Sequence, residues 1–515
     1  MFVRSVFSSF AHVETGKLPA VKRLVPLPLP MLFAVFPLLS LFADNQTEIE
    51  LGVLWRPLVF SVLAAALLYG LFLLIFKSAT KAAILASLVV TAFFTYGMYA
   101  DRIPLLAWLA LFALAAFAVV RTKRNLSTLT LGLSVAAIVL VVGPATRIVT
   151  YENDHPLINA ADPQFWPAAL QKPVLPSGAP RPDVYVLIPD DYARSDVLRH
   201  YFHYDNSSFI SELKKRGFVI ADQSRSPYSD SEMNVASELN MDYLTRLPGI
   251  LGKRSQDVRP VRRLIEYNRA SRLLGALGYR YVHLDTDEVT FTAGNPHISH
   301  VATPDTFMTL WLQQSLLSRV GGWIGFNESA SNERFRKAIR STFSDLGAVP
   351  RQPGPKFVLF HTLMPHDPYI FGTHGESSTF PDHSEEGHTR KIGMRYYAKQ
   401  ARYVETKLVE AVDAIQSRSK EPPVIVIEAD EGFEASEQDW GEAAVRDMRV
   451  KGFAAMYLPG KDRLRPPVKL NTVNTLRFVF NSYFGTRYPL LRNASHPELD
   501  LPYQFEELPV RGLAR

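Results

Sequence analysis

The chain has 515 residues, of which 47% are apolar and 21% are charged, and its formal net charge is +6. A chain of this length is expected to form more than one domain, and its composition excludes a purely disordered or fibrous protein. Because the sequence contains no cysteine, it excludes disulfides, thiolate metal sites, a cysteine nucleophile and the sulfatase nucleophile that is made by oxidising a cysteine.

Five long apolar runs lie within residues 1–150. They cover about 24–43, 57–76, 82–100, 105–120 and 129–145. Each run is close to the ~17 to 25 residues that a helix needs to cross the hydrocarbon core of a membrane. Buried helices of a soluble core are the alternative, but such helices rarely follow one another so uniformly apolar. Residues 1–150 are therefore predicted to be an anchor of about five transmembrane helices.

The basic residues of this anchor predict its orientation. Lysine and arginine cluster before the first run, between the second and third runs, and between the fourth and fifth runs. By the positive-inside rule the N-terminus is cytoplasmic, and five crossings place the remainder of the chain outside the cytoplasm. The predicted side reverses if the fourth run, which is the shortest, does not span.

The charge divides unevenly at residue 150. Residues 1–150 contain 12 Lys and Arg and 5 Asp and Glu, which leaves 44 and 45 for residues 151–515. The basic excess therefore belongs to the membrane topology. The near-neutral remainder lacks the clustered basic residues that nucleic-acid binding requires, so no nucleic-acid partner is expected.

Residues 151–180 contain six prolines and are predicted to be a linker to an extracytoplasmic α/β domain, residues 181–515. The predicted strands are 183–188, 217–221, 279–284, 356–363, 423–429 and 452–458, and the predicted helices are 208–215, 231–244, 261–277, 333–346, 396–417 and 473–483. This alternation predicts a mainly parallel central sheet covered by helices on both faces. Residues 285–330 are interpreted as an insertion near the site.

Two pairs of acids follow buried strands. Asp190 and Asp191 come after the first strand, and Asp430 and Glu431 come after PVIVIEA. Ligands in such sheets bind beyond the carboxyl ends of the strands, so neighbouring strands would bring these carboxylates together. A hard divalent cation with oxygen ligands would offset their repulsion. The alternative is that they are ordinary solvated turn acids or helix caps.

Two further side chains are candidates for catalysis. Ser231 is predicted at a helix N-terminus, where the backbone NH groups and the helix dipole favour an alkoxide and an anionic phosphate. His366 lies between two prolines after a buried strand and can bind a phosphate oxygen or protonate a leaving group. A helix-capping serine and a loop histidine without a role are the alternatives.

Taken in order, these segments resemble the sulfatase-like branch of the alkaline phosphatase superfamily, in particular its membrane-anchored lipoteichoic acid synthases and phosphoethanolamine transferases. The motifs that carry the resemblance are DVYVLIPDDYARSDVL (183–198), ASELNMDYL (236–244), FHTLMPHDPY (360–369), VIEADEG (426–432) and NTLRFVFNSYFG (474–485). The resemblance implies this family's fold behind a membrane anchor. It also implies a ping-pong transfer through a phospho-seryl intermediate at Ser231.

The resemblance also implies roles for the candidate residues. The metal ligands would be Asp190, Asp191, Ser231, Asp430 and Glu431, and His366 would bind substrate. The chain departs from the family at four positions: Asp191 replaces a glycine, Ser231 a threonine, Glu431 a histidine, and Asp230 stands where an amide is expected. Loss of that histidine leaves no nitrogen ligand that the sequence can place. One Mn²⁺, Mg²⁺ or Ca²⁺ ion is therefore expected, and zinc is less favoured.

Two functions follow from these residues. The first is a membrane-bound, metal-dependent phosphotransferase or phosphodiester hydrolase that acts on an envelope lipid or glycan through Ser231. The second, motivated by the four departures, is a catalytically degenerate domain that serves as a binding or scaffold subunit with polysaccharide-assembly proteins. A transporter is disfavoured because the apolar runs carry almost no charge in mid-span.

Overall fold

The computed structural model describes residues 29–508. The exceptions are residues 101, 157, 160–161, 163, 167–168, 286–305, 318–327, 379–389, 435–439 and 461–464. The chain divides into two compact units. The first contains Met1–Pro156 and Pro304–Asn327, and the second contains Leu157–Thr303 and Glu328–Arg515.

Apolar helices of the first unit lie where the five apolar runs occur. They are α1 (Leu29–Asn45), α2 (Trp55–Phe76), α3 (Ala79–Thr95), α4 (Leu105–Arg121) and α5 (Ser127–Asp154). By length and composition, two segments among the described residues can cross a membrane, Leu51–Phe76 and Ser127–Asp154, whereas α1, α3 and α4 are shorter. A helical N-terminal region is thus confirmed, and five crossings stay a prediction. Since α5 continues to Asp154, the first residues of the predicted linker are helical.

Part of the segment 285–330 belongs to the first unit. The helix Thr306–Gln313 carries Trp311, which is buried and stacks on Phe94 of α3 with the ring centroids 4.9 Å apart. This helix therefore belongs to the first unit and not to the second, α/β unit. The rest of the predicted insertion, 286–305 and 318–327, lies outside the described residues.

The second unit is built on a six-stranded mixed sheet with the order β2-β6-β5-β1-β4-β3. The strands are β1 (Val184–Pro189), β2 (Val219–Ile220), β3 (Arg280–Asp285), β4 (Lys356–Thr362), β5 (Val424–Glu428) and β6 (Ala454–Tyr457). The pairs β1–β4, β1–β5 and β3–β4 are parallel, while β6 pairs antiparallel with β5 and β2. The strands β1, β4 and β5 are buried along their whole length, as their almost continuous apolar sequences predict.

Helices cover both faces of this sheet. They are α6 (Ser195–Phe202), α7 (Ser207–Lys215), α8 (Ser231–Asn240), α9 (Leu247–Leu251), α10 (Arg259–Glu266), α11 (Arg269–Gly275), α12 (Glu328–Ala348), α13 (Arg390–Arg418), α14 (Glu442–Arg449) and α15 (Thr475–Tyr483). Because side chains alternate along a strand, Leu187 packs in one core with α6, α7, α12 and α13. Its neighbours Val186 and Ile188 pack in the other core, with α8, α10, α11 and α15.

The structure divides one predicted helix into two. The predicted helix 261–277 is interrupted between α10 and α11. Asn268 has an extended backbone, and its side chain accepts a hydrogen bond from the backbone NH of Ser271, so it caps a new helix. The predicted helix 231–244 is also shorter, because Met241 adopts a left-handed conformation with φ of 57° directly after α8.

Candidate metal and nucleophile site

The carboxyl ends of β1 and β5 are adjacent in the sheet, and both predicted acid pairs follow them. Asp190 donates its backbone NH to the carbonyl oxygen of Thr362 at the end of β4 (3.0 Å). The backbone NH of Asp191 donates to Oδ1 of Asp430 at 3.4 Å, which joins the two acid pairs directly. All four carboxylate residues, Asp190, Asp191, Asp430 and Glu431, are at most 4% exposed. The structure therefore brings the predicted acids together at one edge of the sheet.

Asp191 has a left-handed backbone conformation, which glycine adopts most easily. This explains why the family that the motifs resemble has a glycine at this position. The φ of Asp191 is 62°, in the left-handed region that side chains rarely adopt and that aspartate tolerates better than most residues. Its backbone carbonyl accepts a hydrogen bond from the Tyr397 hydroxyl (2.8 Å), and its Oδ1 accepts one from the backbone NH of Glu434 (2.9 Å). These contacts hold the turn that follows β1.

Gly432 holds the second acid pair close to the end of α14. A Cβ atom at this position would lie 2.1 Å from the carbonyl oxygen of Met448, so no other residue fits without movement of the backbone. The Gly432 NH also donates to the carbonyl oxygen of Arg449 at 2.6 Å. The close approach fixes the backbone beside Glu431 and brings the Arg449 side chain into the site.

Ser231 is the first residue of α8, as predicted. The preceding Asp230 caps this helix, since its Oδ1 accepts the backbone NH of Met233 at 2.9 Å. The Ser231 hydroxyl therefore does not cap the helix. It donates a hydrogen bond to Oδ1 of Asp190 at 3.4 Å. The arrangement places the Ser231 hydroxyl against the group of carboxylates, at the positive end of a helix.

His361 is a site residue that the sequence analysis missed. It lies on β4 opposite Ile188 of β1, and its Nε2 is 3.7 Å from Oδ2 of Asp190 and 3.5 Å from Oδ2 of Asp430. Its Nδ1 lies 3.2 Å from Oδ1 of Asp285 at the end of β3. Asp285 therefore orients the imidazole so that Nε2 faces the carboxylates. The expectation that no nitrogen ligand is available is corrected by this geometry.

His366 occupies a different position, at the margin of the carboxylate group. Its Nε2 lies 3.2 Å from Oε2 of Glu434, and its Nδ1 lies 2.9 Å from Oδ1 of Asp367. Although burial lowers the pKa of His366, these two carboxylates and the nearby Asp191 raise it well above its usual value. The histidine is therefore protonated at neutral pH and can donate a hydrogen bond to an anion.

The buried acids have perturbed protonation. Burial, and then the neighbouring Asp430 carboxylate, raises the pKa of Asp190 well above its usual value. Burial raises the pKa of Asp191 to about 7, against the opposing effect of His366. Burial likewise raises the pKa of Glu431, and Arg449 acts in the opposite direction. Burial thus disfavours the ionised form of these neighbouring carboxylates, and a bound cation would stabilise that form.

Arg449 supplies a fixed positive charge that the sequence did not reveal. Its guanidinium forms an ion pair with Glu434 and interacts with the charges of Glu431 and Asp191. Burial lowers the pKa of Arg449, but Glu431 and Glu434 outweigh this effect and raise it. Together with His361 and His366, this residue offsets the extra carboxylates that would otherwise repel an anionic substrate.

Two overlapping sets of side chains can hold a metal ion. Asp190, His361 and Asp430 form one set, and Asp190, Asp191 and Glu431 form the other, with the ligand atoms of each set within 4.8 Å of one another. Oδ2 of Asp430 and Oε2 of Glu431 are buried and accept no hydrogen bond from the residues that the structure describes. Buried oxygens of this kind are suited to a cation, so these residues fit a divalent metal. A site with both oxygen and nitrogen donors also suits zinc.

No family model matches the chain, and no curated protein matches it. Several solved structures are similar to it at low identity. The C-terminal periplasmic domain of EcEptC from Escherichia coli in complex with Zn is 9% identical, with 66% of this chain and 96% of that chain covered and a TM-score of 0.43.

Two further similar structures come from other organisms. The integral membrane protein lipooligosaccharide phosphoethanolamine transferase A from Neisseria meningitidis is 14% identical, with 84% and 88% of the two chains covered and a TM-score of 0.36. A putative sulfatase from Bacteroides thetaiotaomicron is 13% identical, with 60% and 72% covered and a TM-score of 0.38.

Proposed function

We propose that the chain is a membrane-bound, metal-dependent enzyme that transfers or hydrolyses a phospho-linked group on an envelope lipid or glycan, with its α/β unit outside the cytoplasm. The observation that carries this proposal is the position of Ser231. Its hydroxyl lies 3.4 Å from Oδ1 of Asp190, a buried carboxylate that both candidate metal sets share. A hydroxyl, a carboxylate and a cation site at a helix N-terminus form a phosphoryl-transfer centre.

In the first step, Oγ of Ser231 attacks phosphorus and forms a new P–O bond while the bond to the leaving oxygen breaks. Asp190 accepts the Ser231 proton in this proposal, which is supported by the 3.4 Å distance between its Oδ1 and Oγ of Ser231. His366, which is protonated, can donate to a phosphoryl oxygen or to the leaving oxygen. In the second step an acceptor hydroxyl or water attacks phosphorus while the P–O bond to Ser231 breaks. Asp190 returns its proton to Oγ of Ser231, and the acceptor's proton replaces the one that His366 gave to the leaving oxygen.

A divalent ion held by Asp190, His361 and Asp430, or by Asp190, Asp191 and Glu431, would stabilise the charge of the phosphoryl oxygens. The chain's own contribution to that stabilisation comes from α8 and from Arg449. The backbone NH groups of the first turn of α8 are next to Ser231, and the dipole of this helix favours negative charge there.

The test compares Ser231→Ala with Ser231→Thr in the full chain. Threonine keeps the hydroxyl, so we expect activity to persist in Ser231→Thr and to fall by about 10³-fold or more in Ser231→Ala. Activity is measured as phospho-substituents on envelope glycans of cells and as hydrolysis of a chromogenic phosphodiester by purified protein. Metal content should change far less than activity in both variants, because the four carboxylates and His361 remain as ligands.

Mass spectrometry of the protein after incubation with the phosphodiester tests the covalent step. A phosphoryl adduct on Ser231 is expected when the acceptor is withheld. An unchanged glycan profile in Ser231→Ala, or wild-type protein that carries no metal and no activity, would contradict the enzyme and favour the degenerate scaffold domain.

A further inference from the structure

A cavity of the α/β unit, separate from the candidate metal site, is lined by α6 and α13. Its volume is about 940 Å³, which is in the range of small-molecule sites. The lining side chains come from the end of α6 and the turn after it, from one residue of the loop after β4, and from the first half of α13; they are His200, Tyr201, Phe202, His203, Tyr204, Thr373, Met394, Arg395, Ala398, Lys399 and Arg402. None of the residues of the candidate metal site is among them.

One wall of this cavity is cationic. Arg395, Lys399 and Arg402 are spaced at i, i+4 and i+7 on α13, so they lie on one face of the helix over ~10 Å. Arg395 and Arg402 are exposed, and Lys399 is partly exposed. A cavity lined by charges of one sign concentrates ligands of the opposite sign. The wall therefore selects an anionic ligand that is longer than a single small ion.

Carboxylates outside the lining act on two of the three cations: Glu405 interacts with the charge of Arg402, and Glu376 with that of Lys399. Asp205 accepts hydrogen bonds from the backbone NH and the hydroxyl of Ser207 at the start of α7. Glu405 is buried and accepts hydrogen bonds from the hydroxyls of Tyr192 and Tyr204. Among the described lining residues there is no acid, so the lining itself carries a net positive charge.

The opposite wall is aromatic and polar. Tyr201, His200 and His203 combine ring faces with groups that form hydrogen bonds, whereas Tyr204 is buried and its hydroxyl donates to Glu405. The guanidinium of Arg402 lies 5.3 Å from the ring centroid of Tyr204, so the two walls meet at one end. Ring faces that alternate with hydrogen-bonding groups match a saccharide, whose faces are apolar and whose edges carry hydroxyls.

The lining does not suit an acyl chain. Its purely apolar members are Phe202, Met394 and Ala398, and Phe202 is buried against Phe433 with the ring centroids 4.6 Å apart. A lipid tail needs a continuous apolar groove to offset its transfer from a membrane. The same ring contact reaches the loop of the metal site, since Phe433 follows Gly432.

We propose that this cavity binds an anionic saccharide segment, held by Arg395, Lys399 and Arg402 through its carboxylate or phosphate groups and by the tyrosine and histidine rings through its sugar faces. Binding itself is independent of chemistry at Ser231. The assignment of this saccharide as part of the envelope acceptor rests on the proposed function.

The test measures binding to the full chain in detergent micelles by calorimetry. The probes are tetragalacturonic acid and the neutral maltotetraose, which has the same number of sugars. The double variant R395Q/K399Q removes two charges from the cavity. Its matched control, K407Q/K420Q, removes two charges from α13 and the residues after it, outside the cavity.

We expect tetragalacturonic acid to bind the wild type and the control alike, and R395Q/K399Q about tenfold more weakly or worse, since charge-assisted hydrogen bonds are lost. Three results would overturn the proposal: no binding to the wild type at millimolar concentration, equal binding of maltotetraose, or equal loss in both double variants. Binding of short-chain phosphatidylglycerol in place of the oligosaccharide would also overturn it, in favour of a lipid headgroup.

Hydrolysis of the chromogenic phosphodiester separates this proposal from the proposed function. K407Q/K420Q should keep the wild-type rate on that small substrate, because neither residue belongs to the metal and nucleophile site or to the cavity lining. If Ser231→Ala keeps its activity while R395Q/K399Q loses the saccharide, the proposed function fails and the binding site stands.

Discussion

Nε2 of His361 lies 3.5 Å from Oδ2 of Asp430, so a nitrogen donor from β4 meets a carboxylate from the loop after β5. The two strands are not neighbours, since β1 lies between them in the sheet. A cation between these atoms would have mixed nitrogen and oxygen ligands, as zinc sites commonly do. The contact thus decides which metals the site can prefer.

The first prediction concerns this metal preference. His361→Asn should weaken Zn²⁺ binding by about tenfold or more, and Mg²⁺ or Mn²⁺ binding by much less, because those ions favour oxygen donors. Titration of metal-free protein with each ion, followed by elemental analysis, measures the change. His366→Asn is the control, since His366 contacts Glu434 and Asp367 and belongs to neither candidate metal set. Equal effects of both substitutions on Zn²⁺ would contradict the assignment.

The second prediction concerns Arg449. The guanidinium lowers the pKa of Glu431 and of Asp191, so its removal should raise both and let protons compete with the metal up to a higher pH. Arg449→Gln should move the pH of half-maximal metal uptake upward by about one unit. At alkaline pH the metal content should match the wild type, because the ligands are then deprotonated in both proteins.

Arg446→Gln is the matched control for that substitution. Arg446 lies on the same helix, α14, and forms ion pairs with Glu442 and Glu506 instead of the site carboxylates. Its replacement should leave the pH profile of metal uptake unchanged. A shift of the profile in Arg446→Gln as large as in Arg449→Gln would show that overall charge, and not the local guanidinium, controls uptake.

The third prediction concerns the close approach at Gly432. Gly432→Ala should lower the free energy of unfolding by about 1 to 3 kcal/mol, because its Cβ would overlap the carbonyl oxygen of Met448. The displaced loop carries Asp430 and Glu431, so metal affinity should fall as well. Gly249→Ala is the control: nothing lies within 4 Å of a Cβ there, and stability should be unchanged or slightly higher. Normal metal affinity in Gly432→Ala would refute the positioning role.

The strands were predictable because short apolar runs form buried strands almost regardless of the sequence around them. β1, β4 and β5 are short apolar runs that are buried along their whole length, and runs of this kind have few other stable environments. Helix ends were less predictable. The 261–277 pattern is helical on both sides of Asn268, and the division there depends on a side-chain cap that competes with continuation of the helix.

The site was predictable only where its residues lie directly beside the end of a predicted strand or helix. Asp190, Asp430 and Ser231 each stand at the end of an element, and the ends of parallel strands meet at one edge of the sheet. His361 lies one residue before the end of β4, and this position could have identified it as a candidate site residue. Its contact with Asp190, however, depends on the strand register that sets it opposite Ile188. Arg449 carried no such signal, because its approach depends on the tight packing of Gly432.

The last prediction concerns stability and Glu405, which lies beneath the saccharide cavity on α13. Burial raises the pKa of Glu405 from its usual 4.5 to about 7, against the hydrogen bonds from Tyr192 and Tyr204. Between these values the folded protein holds a proton that the unfolded chain has lost, so stability falls as the pH rises from about 4.5 to about 7. The loss should reach about 3 kcal/mol and stay constant above that range.

Glu405→Gln removes the ionisation and should flatten this part of the stability profile, which thermal unfolding of the full chain in detergent at pH 5 and pH 8 measures. Glutamine can still accept the two tyrosine hydroxyls, so the variant should resemble the wild type at pH 5 and exceed it at pH 8. Glu410→Gln makes the same change at an exposed position of α13 and should leave the profile as it is. An equal difference between pH 5 and pH 8 in the wild type and in Glu405→Gln would show that the buried carboxylate is not the source of the slope.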